Sequence, residues 1–342
     1  MTGKIGIAII GLGPASLPHS KSLLDLAERS KVRWAVSRSQ ERTEAFARQF
    51  PFPVTTDLDA VLADPAVDAA IVLTPPSSHL DASARCLEAG KHVLVEKPLE
   101  LTSARGARLV KAARKAGKVF GVVLQHRFRP ASLRLKAALD GGELGSVEAA
   151  FLRVPWWRPQ SYYDEPGRGS LARDGGGVLL TQAIHSLDLF RSLVGVSRVV
   201  AAQARTTALH RMETEDYVSA LLETGSGAPA TLVATTAAYP GYPERIEIIG
   251  SKGFAALVGG RLELSFLDGR SEIVEAEGST GSGANIMDFP HDAHRAVIAD
   301  FLDAIMQGRD PVVTGEEALA SQRLVDDILA AAGWKAGEGA VS

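Results

Sequence analysis

The chain has 342 residues, 46% of them apolar and 23% charged, and 37 basic against 40 acidic residues leave a net charge of −3. This composition excludes a disordered chain, a collagen-like repeat and a small disulfide scaffold, and the near-neutral balance argues against a dedicated nucleic-acid or membrane surface. The length predicts about two domains, and Cys86, the single cysteine, excludes an internal disulfide or a cysteine-rich metal site.

The opening MTGKIGIAIIGLG carries an apolar run that Gly11, Gly13 and Pro14 close after about seven residues. That is too short for a membrane span, and no small-residue cleavage site follows, so a buried strand in a soluble, cytoplasmic protein is expected. Similar β-branched runs recur at 32–36, 69–73, 92–95 and 119–124, each apolar on nearly every residue. Helical stretches around 17–29, 40–49, 78–89 and 102–116 fill the gaps. Strand–helix alternation of this kind predicts a doubly wound parallel α/β sheet over residues 1–125.

The pattern changes beyond residue 126. A helix at 131–140, a strand near 147–154, a polar-aromatic loop at 155–173 and a helix of about five turns at 176–193 are expected. Strands follow around 198–207, 215–224, 229–238, 244–250, 253–258 and 261–267, then a mobile loop at Glu277–Gly283 and helices near 292–307 and 315–332. Residues 126–342 thus read as an α+β domain, a largely antiparallel open sheet covered by helices on one face.

Gly11-Leu12-Gly13-Pro14-Ala15-Ser16 follows the first strand and opens a helix. In a dinucleotide-binding turn of the Rossmann type the first glycine makes the tight turn, and the second lets a pyrophosphate approach the backbone. A small third residue, here Ser16, lets helix and strand pack, and the helix N-terminus supplies amide donors. The second strand ends in Ser37-Arg38, with Arg42 one turn on, where an acid for the ribose hydroxyls is usual. A hydroxyl and two guanidiniums suit a 2′-phosphate, so NADP is the expected cofactor, with NAD as the alternative.

Two further segments, Thr74-Pro75-Pro76-Ser77-Ser78-His79 and Glu96-Lys97-Pro98, end the fourth and fifth strands, and Gly175-Gly176-Gly177 precedes His185. With the GxG turn, the chain resembles the Gfo/Idh/MocA oxidoreductases, glucose–fructose oxidoreductase, inositol dehydrogenase and their relatives, over essentially its whole length. The cofactor motif looks most like the NADP-using members, such as 1,5-anhydrofructose reductase.

The resemblance implies roles at matching positions. Lys97 would face the reacting oxygen, Glu96 and Pro98 would shape the nicotinamide site, and Thr74, Pro75 and His79 would flank the cofactor. Pro76 stands where the family commonly has Asn. His185 would be the acid/base, since a group titrating near neutrality moves a proton best. Thr181 stands where Asp is frequent. Its i, i+4 spacing would set it on one helix face with His185, and Asp188 at i+3 is the other candidate partner. Gln125 would meet the nicotinamide and His126 the substrate, and Arg168 would reach either. Trp157, Arg158 and Tyr162, with Trp156 and Tyr163, resemble a sugar-binding wall, and His294 stands where relatives often place Tyr.

Histidines 79, 92, 126, 185, 210, 291 and 294, seven of the eight in the chain, include no HxxxH pair with an acidic third ligand, so no metal is expected. The function implied is NAD(P)-dependent hydride transfer to or from a sugar, cyclitol or related polyol. The alternatives are a non-catalytic NAD(P) or metabolite sensor on the same fold, or a dehydrogenase of a non-sugar substrate such as an aromatic dihydrodiol. A homodimer or homotetramer through the C-terminal sheet is expected, because an apolar sheet face is rarely left bare.

Overall fold

A computed structural model describes residues 3–275 and 290–334. The loop expected at Glu277–Gly283 lies outside the described residues. Along the chain come β1 (Ile5–Ile10), α1 (Ser16–Asp25), β2 (Ser30–Val36), α2 (Gln40–Ala47), β3 (Val54–Thr55), α3 (Leu58–Ala63), β4 (Ala69–Val72), α4 (His79–Glu88), β5 (His92–Val95), α5 (Ser103–Ala116) and β6 (Phe120–Val122). These strands pair in parallel in the order β3-β2-β1-β4-β5-β6. Every residue of β1 and of β4 is buried, as a sheet covered on both faces requires. The strand order reverses beside β1, so the carboxyl ends of β1 and β4 flank the switch point where ligands of such sheets bind. Local sequence starts the helices: Ser39, Asp57 and Thr102 each accept a main-chain N–H at the N-termini of α2, α3 and α5.

Next come α6 (Pro130–Asp140), β7 (Val147–Pro155), the single turns α7 (Gln160–Tyr163) and α8 (Leu171–Asp174), a π turn at Val178–Gln182 and α9 (Ile184–Val194). They are followed by β8 (Arg198–Arg205), β9 (Tyr217–Glu223), β10 (Pro229–Thr235), β11 (Arg245–Gly250), β12 (Gly253–Val258), β13 (Arg261–Phe266) and β14 (Ser271–Val274). The sheet runs β14-β13-β12-β11-β7-β10-β9-β8, and only the β7–β10 pair is parallel. Alternation gives it one apolar face, with Leu152, Val218, Leu232, Ile246 and Leu264 among the buried residues. On the other face Leu221, Ile249 and Phe254 are exposed. The chain ends with α10 (Asp292–Gln307) and α11 (Gly315–Ala331).

The molecule divides into two compact units, residues 1–125 with 291–320 and residues 126–290 with 321–342. A second domain continuous from 126 to 342 therefore does not describe the chain, because α10 returns to the first unit. There Asp25 at the end of α1 accepts from His291 and Arg295, and Arg29 pairs with Asp303. The single helix expected at 176–193 is also corrected: the chain makes the π turn first, and α9 starts only at Ile184. Strand β14, too short and too polar to stand out in the sequence, adds an edge to the second sheet.

Candidate active site

In the first unit, Gly11 stands at φ +106°, and a Cβ there would come within 2.7 Å of the Leu73 main chain, so the β1 turn needs glycine for both its angle and its close approach to the end of β4. At Gly13 a Cβ would meet nothing within 4 Å, which leaves this stretch of backbone open. Ser16 Oγ donates to the Gly13 carbonyl at 2.8 Å, and no side chain caps the first amides of α1. Pro14 and Ala15 complete the turn; Ser16 N–H donates to the Gly13 carbonyl at 2.9 Å and Leu17 N–H to the Pro14 carbonyl at 3.3 Å, so it is the open backbone at Gly13, at the positive end of α1, that suits a pyrophosphate. Thr74 Oγ1 and Gln125 Oε1 are buried and have no hydrogen-bond partner among the described residues, so each offers a polar atom to a bound group. These observations fit a dinucleotide at the switch point.

At the end of β2, Ser37 is half-buried and Arg38 and Arg42 are exposed. Among the described residues no ion pair engages either arginine. Ser37 Oγ accepts the Ser39 N–H at 3.3 Å, which turns the chain into α2 and sets Arg42 on its first turn.

Lys97 follows β5 and is half-buried, and its peptide bond to the buried Pro98 is cis. Its N–H donates to Glu96 Oε2 at 2.8 Å, while Glu96 Oε1 meets His19 Nε2 at 2.8 Å. Hydrogen bonding to His19 and the charges around it hold the Glu96 carboxyl down at about 2, against the effect of burial. His294 on α10 stands edge-on to His19 with ring centroids 5.1 Å apart, and burial drives its pKa down to about 3. Ligand-type atoms of His19, Glu96 and His294 lie within 4.8 Å of one another, the one such cluster among the described residues. His19, drawn from α1 with no recognisable spacing, escaped the sequence reading altogether.

His79 also lies inside the first unit. It is fully buried, with Nδ1 2.9 Å from the Pro98 carbonyl and Nε2 2.8 Å from the Thr74 carbonyl. Both ring nitrogens therefore face main chain, and burial holds its pKa below the usual histidine range. The ring ties the Thr74 and Pro98 turns together. Pro75 is exposed on the first of these turns.

In the second unit, His126 and His185 stack with ring centroids 5.0 Å apart and 29° between planes, at 4% and 7% exposure. Arg127 Nε and Nη2 donate to the two oxygens of Asp188 at 2.6 and 2.7 Å, and Ser321 Oγ donates to Asp188 Oδ1 at 2.6 Å. Asp188 is completely buried. Its carboxylate thus fixes the His126–Arg127 segment against α9.

Thr181 lies in the π turn and donates its hydroxyl to the Gly177 carbonyl at 2.7 Å. The turn is clasped from below by Glu215, whose oxygens accept Gly177 N–H at 3.0 Å and Leu179 N–H at 3.2 Å. A Cβ at Gly177 would sit 1.9 Å from the Glu215 carbonyl oxygen, which explains the last glycine of the GGG run. Burial raises the Glu215 carboxyl to about 7.

The aromatic wall is only partly a wall. Trp156, Arg158 and Tyr163 are buried, while Trp157 and Tyr162 are half-buried. Arg158 is 1% exposed, and its Nε donates to Gln182 Oε1 at 3.1 Å, which removes it from a solvent-facing pocket. Tyr162 Oη accepts from Gln182 Nε2 and from Arg168 Nη1, and the Arg168 guanidinium lies 4.1 Å from the Tyr162 ring centroid and pairs with Glu165. Trp157 packs edge-on against the exposed Tyr239. Beneath them, His210 Nδ1 meets Asp216 Oδ2 at 2.7 Å and Nε2 meets the Arg158 carbonyl at 2.9 Å, a buried support that only the fold assembles.

Residues 5–124 match the family described as an oxidoreductase family with an NAD-binding Rossmann fold, GFO_IDH_MocA, and residues 132–256 match the GFO/IDH/MocA C-terminal domain. The chain is 29% identical to inositol 2-dehydrogenase of Rhizobium meliloti, over 95% of this chain and 96% of the relative. It is 27% identical to scyllo-inositol 2-dehydrogenase (NAD(+)) of Bacillus subtilis, over 93% of this chain and 91% of the relative. The WlbA dehydrogenase from Bordetella pertussis, solved in complex with NADH and UDP-GlcNAcA, superposes with a TM-score of 0.84 at 28% identity, covering 97% of this chain and 96% of that one. Among the described residues no helix is long and apolar enough to cross a membrane.

Proposed function

Because the chain belongs to the Gfo/Idh/MocA family and is an NAD(P)-dependent dehydrogenase of sugar or polyol CH–OH groups, we propose that it oxidises or reduces a cyclitol or sugar with Lys97 and His185 handling the proton and NADP as the preferred cofactor. The observation that carries this reading is the placement of Lys97 at the carboxyl end of β5, its backbone pinned by the Glu96 carboxylate. The nicotinamide, when bound, supplies the hydride chemistry. Gly11, Gly13 and the positive end of α1 hold the pyrophosphate, Thr74 and Gln125 offer the unpartnered polar atoms, and Pro75 and Pro98 line the approach. Ser37, Arg38 and Arg42 take a 2′-phosphate.

Lys97 donates a hydrogen bond to the substrate oxygen, and His185 takes its proton on oxidation or returns it on reduction. His126 backs the His185 ring. Trp157 and Tyr162 offer aromatic surface to the apolar face of the polyol, with Arg168 held over Tyr162. Thr181, His79, Glu96, Asp188, Arg158 and His294 act as supports, since each faces other protein groups. The second sheet joins two copies through its exposed face.

Turnover of inositols, keto-inositols and sugars by the full chain with NAD(H) and NADP(H) tests the reading. We expect activity on at least one polyol and kcat/KM at least about tenfold higher with NADP(H), a difference of about 1.4 kcal/mol. Cofactor binding with no turnover on any CH–OH substrate would contradict the reaction, and equal or better use of NAD(H) would contradict the preference.

A further inference from the structure

Beside the His126–His185 pair lies a largely enclosed cavity of about 10 Å³. His126, Arg129, Ser132, Ser186 and Glu244 supply its polar lining, and Ile246 lies among its apolar walls. Ser132 Oγ, Ser186 Oγ and Glu244 Oε2 are buried, and among the described residues none of the three has a hydrogen-bond partner. The residues themselves are 1%, 1% and 5% exposed. The other Glu244 oxygen accepts Arg129 Nη1 at 2.8 Å, and the same nitrogen donates to the Gly259 carbonyl at 2.9 Å.

Buried polar atoms are seldom left unpaired. An internal water needs a space of about this size and two to four polar partners, and this site offers three. We propose that one internal water bridges Ser132, Ser186 and Glu244, and that through it the Glu244 carboxylate positions the His126–His185 pair. Two serine hydroxyls donate to the water, and the water donates to Glu244 Oε2, so each of the three buried oxygens gains a partner. Ser186 is continuous with His185, and His126 forms one wall of the same cavity. An ionised carboxylate one water away favours the positive charge that arises on the stacked imidazoles when the substrate oxygen gives up its proton.

Other charges around the site are already matched. Arg129 binds Glu244, Arg127 binds Asp188 on α9, Arg245 pairs with Glu247 on β11, and on α6 Arg134 pairs with Glu143 and Glu272 while Lys136 pairs with Asp140. Glu244 is thus a positioning residue, and its coupling to turnover rests on the reading of His185 as acid/base given above.

A high-resolution crystal structure of the full chain, together with kcat–pH profiles of Glu244→Gln and Ser186→Ala, tests the proposal. We expect one density peak within hydrogen-bond distance of all three oxygens in the wild type, displaced or lost in Ser186→Ala. Glu244→Gln keeps an acceptor for Arg129 but loses the negative charge, so the acidic limb of its profile should move down by about half a unit to one unit, with KM for the cofactor unchanged. An empty cavity, or the three oxygens bonded directly to one another, would overturn the water. An unmoved acidic limb would overturn the coupling, and His185→Ala in the same assay separates this from a failure of the acid/base reading. Should Glu244→Gln not fold, Ser186→Ala still decides, because loss of one water anchor must move both the peak and the limb.

Discussion

Glu215 shows what a single side chain costs and supplies. Its carboxyl is buried beneath the π turn, takes two main-chain N–H groups and has its pKa raised to about 7 from 4.5. A folded-state pKa above the unfolded one means that the fold favours the protonated form. The stability tied to this group is therefore complete below about 4.5 and is lost as pH rises through 7, a loss on the order of 3 kcal/mol. Glu215→Gln removes the titration and keeps an acceptor for the turn. Thermal melts from pH 5 to 8.5 should show the wild type losing Tm faster than the variant, and parallel curves would contradict the assignment. Glu96 has the opposite sign: with a pKa near 2, its contribution is present above about 4.5 and lost only as pH falls toward 2.

At the scale of elements, the segment carrying His126 and the helix carrying His185 are joined by the Arg127–Asp188 pair, whose side chains are 10% and 0% exposed. Removing one partner of a buried pair strands the other charge, at a cost of about 3–5 kcal/mol. Asp188→Ala should therefore lower stability by that amount in urea unfolding and loosen the His126–His185 stack. Asp188→Asn should recover part of it, because the amide oxygen still accepts from Arg127. A loss below about 1 kcal/mol for Asp188→Ala would show the pair to be incidental.

These elements also mark the reach of sequence reading. The parallel strands were legible because each is a continuous apolar run, and the glycine turn because its glycines stand in consecutive sequence between a strand and a helix. The π turn was not legible. It depends on Glu215, nearly forty residues downstream, reaching back to Gly177 and Leu179, and helical periodicity alone extended α9 too far toward its N-terminus. The His19–Glu96–His294 cluster gathers α1, β5 and α10, and no local spacing connects them. Asp188 reads as a helix acid until Arg127 is seen against it.

At the scale of the whole molecule, the chain is two compact units, and α10 returns to the first. The sheet of the second unit leaves Leu221, Ile249 and Phe254 exposed at 53%, 41% and 38% on its outer face. Ile249 and Phe254 are register partners on adjacent strands, so their side chains form a shared apolar patch. Such a face is suited to an isologous contact with a second copy. Sedimentation should therefore give a dimer or a larger even assembly, and Ile249→Lys combined with Phe254→Lys should shift it toward monomer while leaving cofactor binding by the first unit intact. A monomeric wild type would contradict the contact.

The account turns on the proton. Lys97→Ala and His185→Ala, assayed on the polyol that the full chain turns over best, should each lower kcat by about 10²–10⁴ while fluorescence titration shows the reduced cofactor still bound. Wild-type kcat in both variants, with cofactor binding retained, would contradict the central claim.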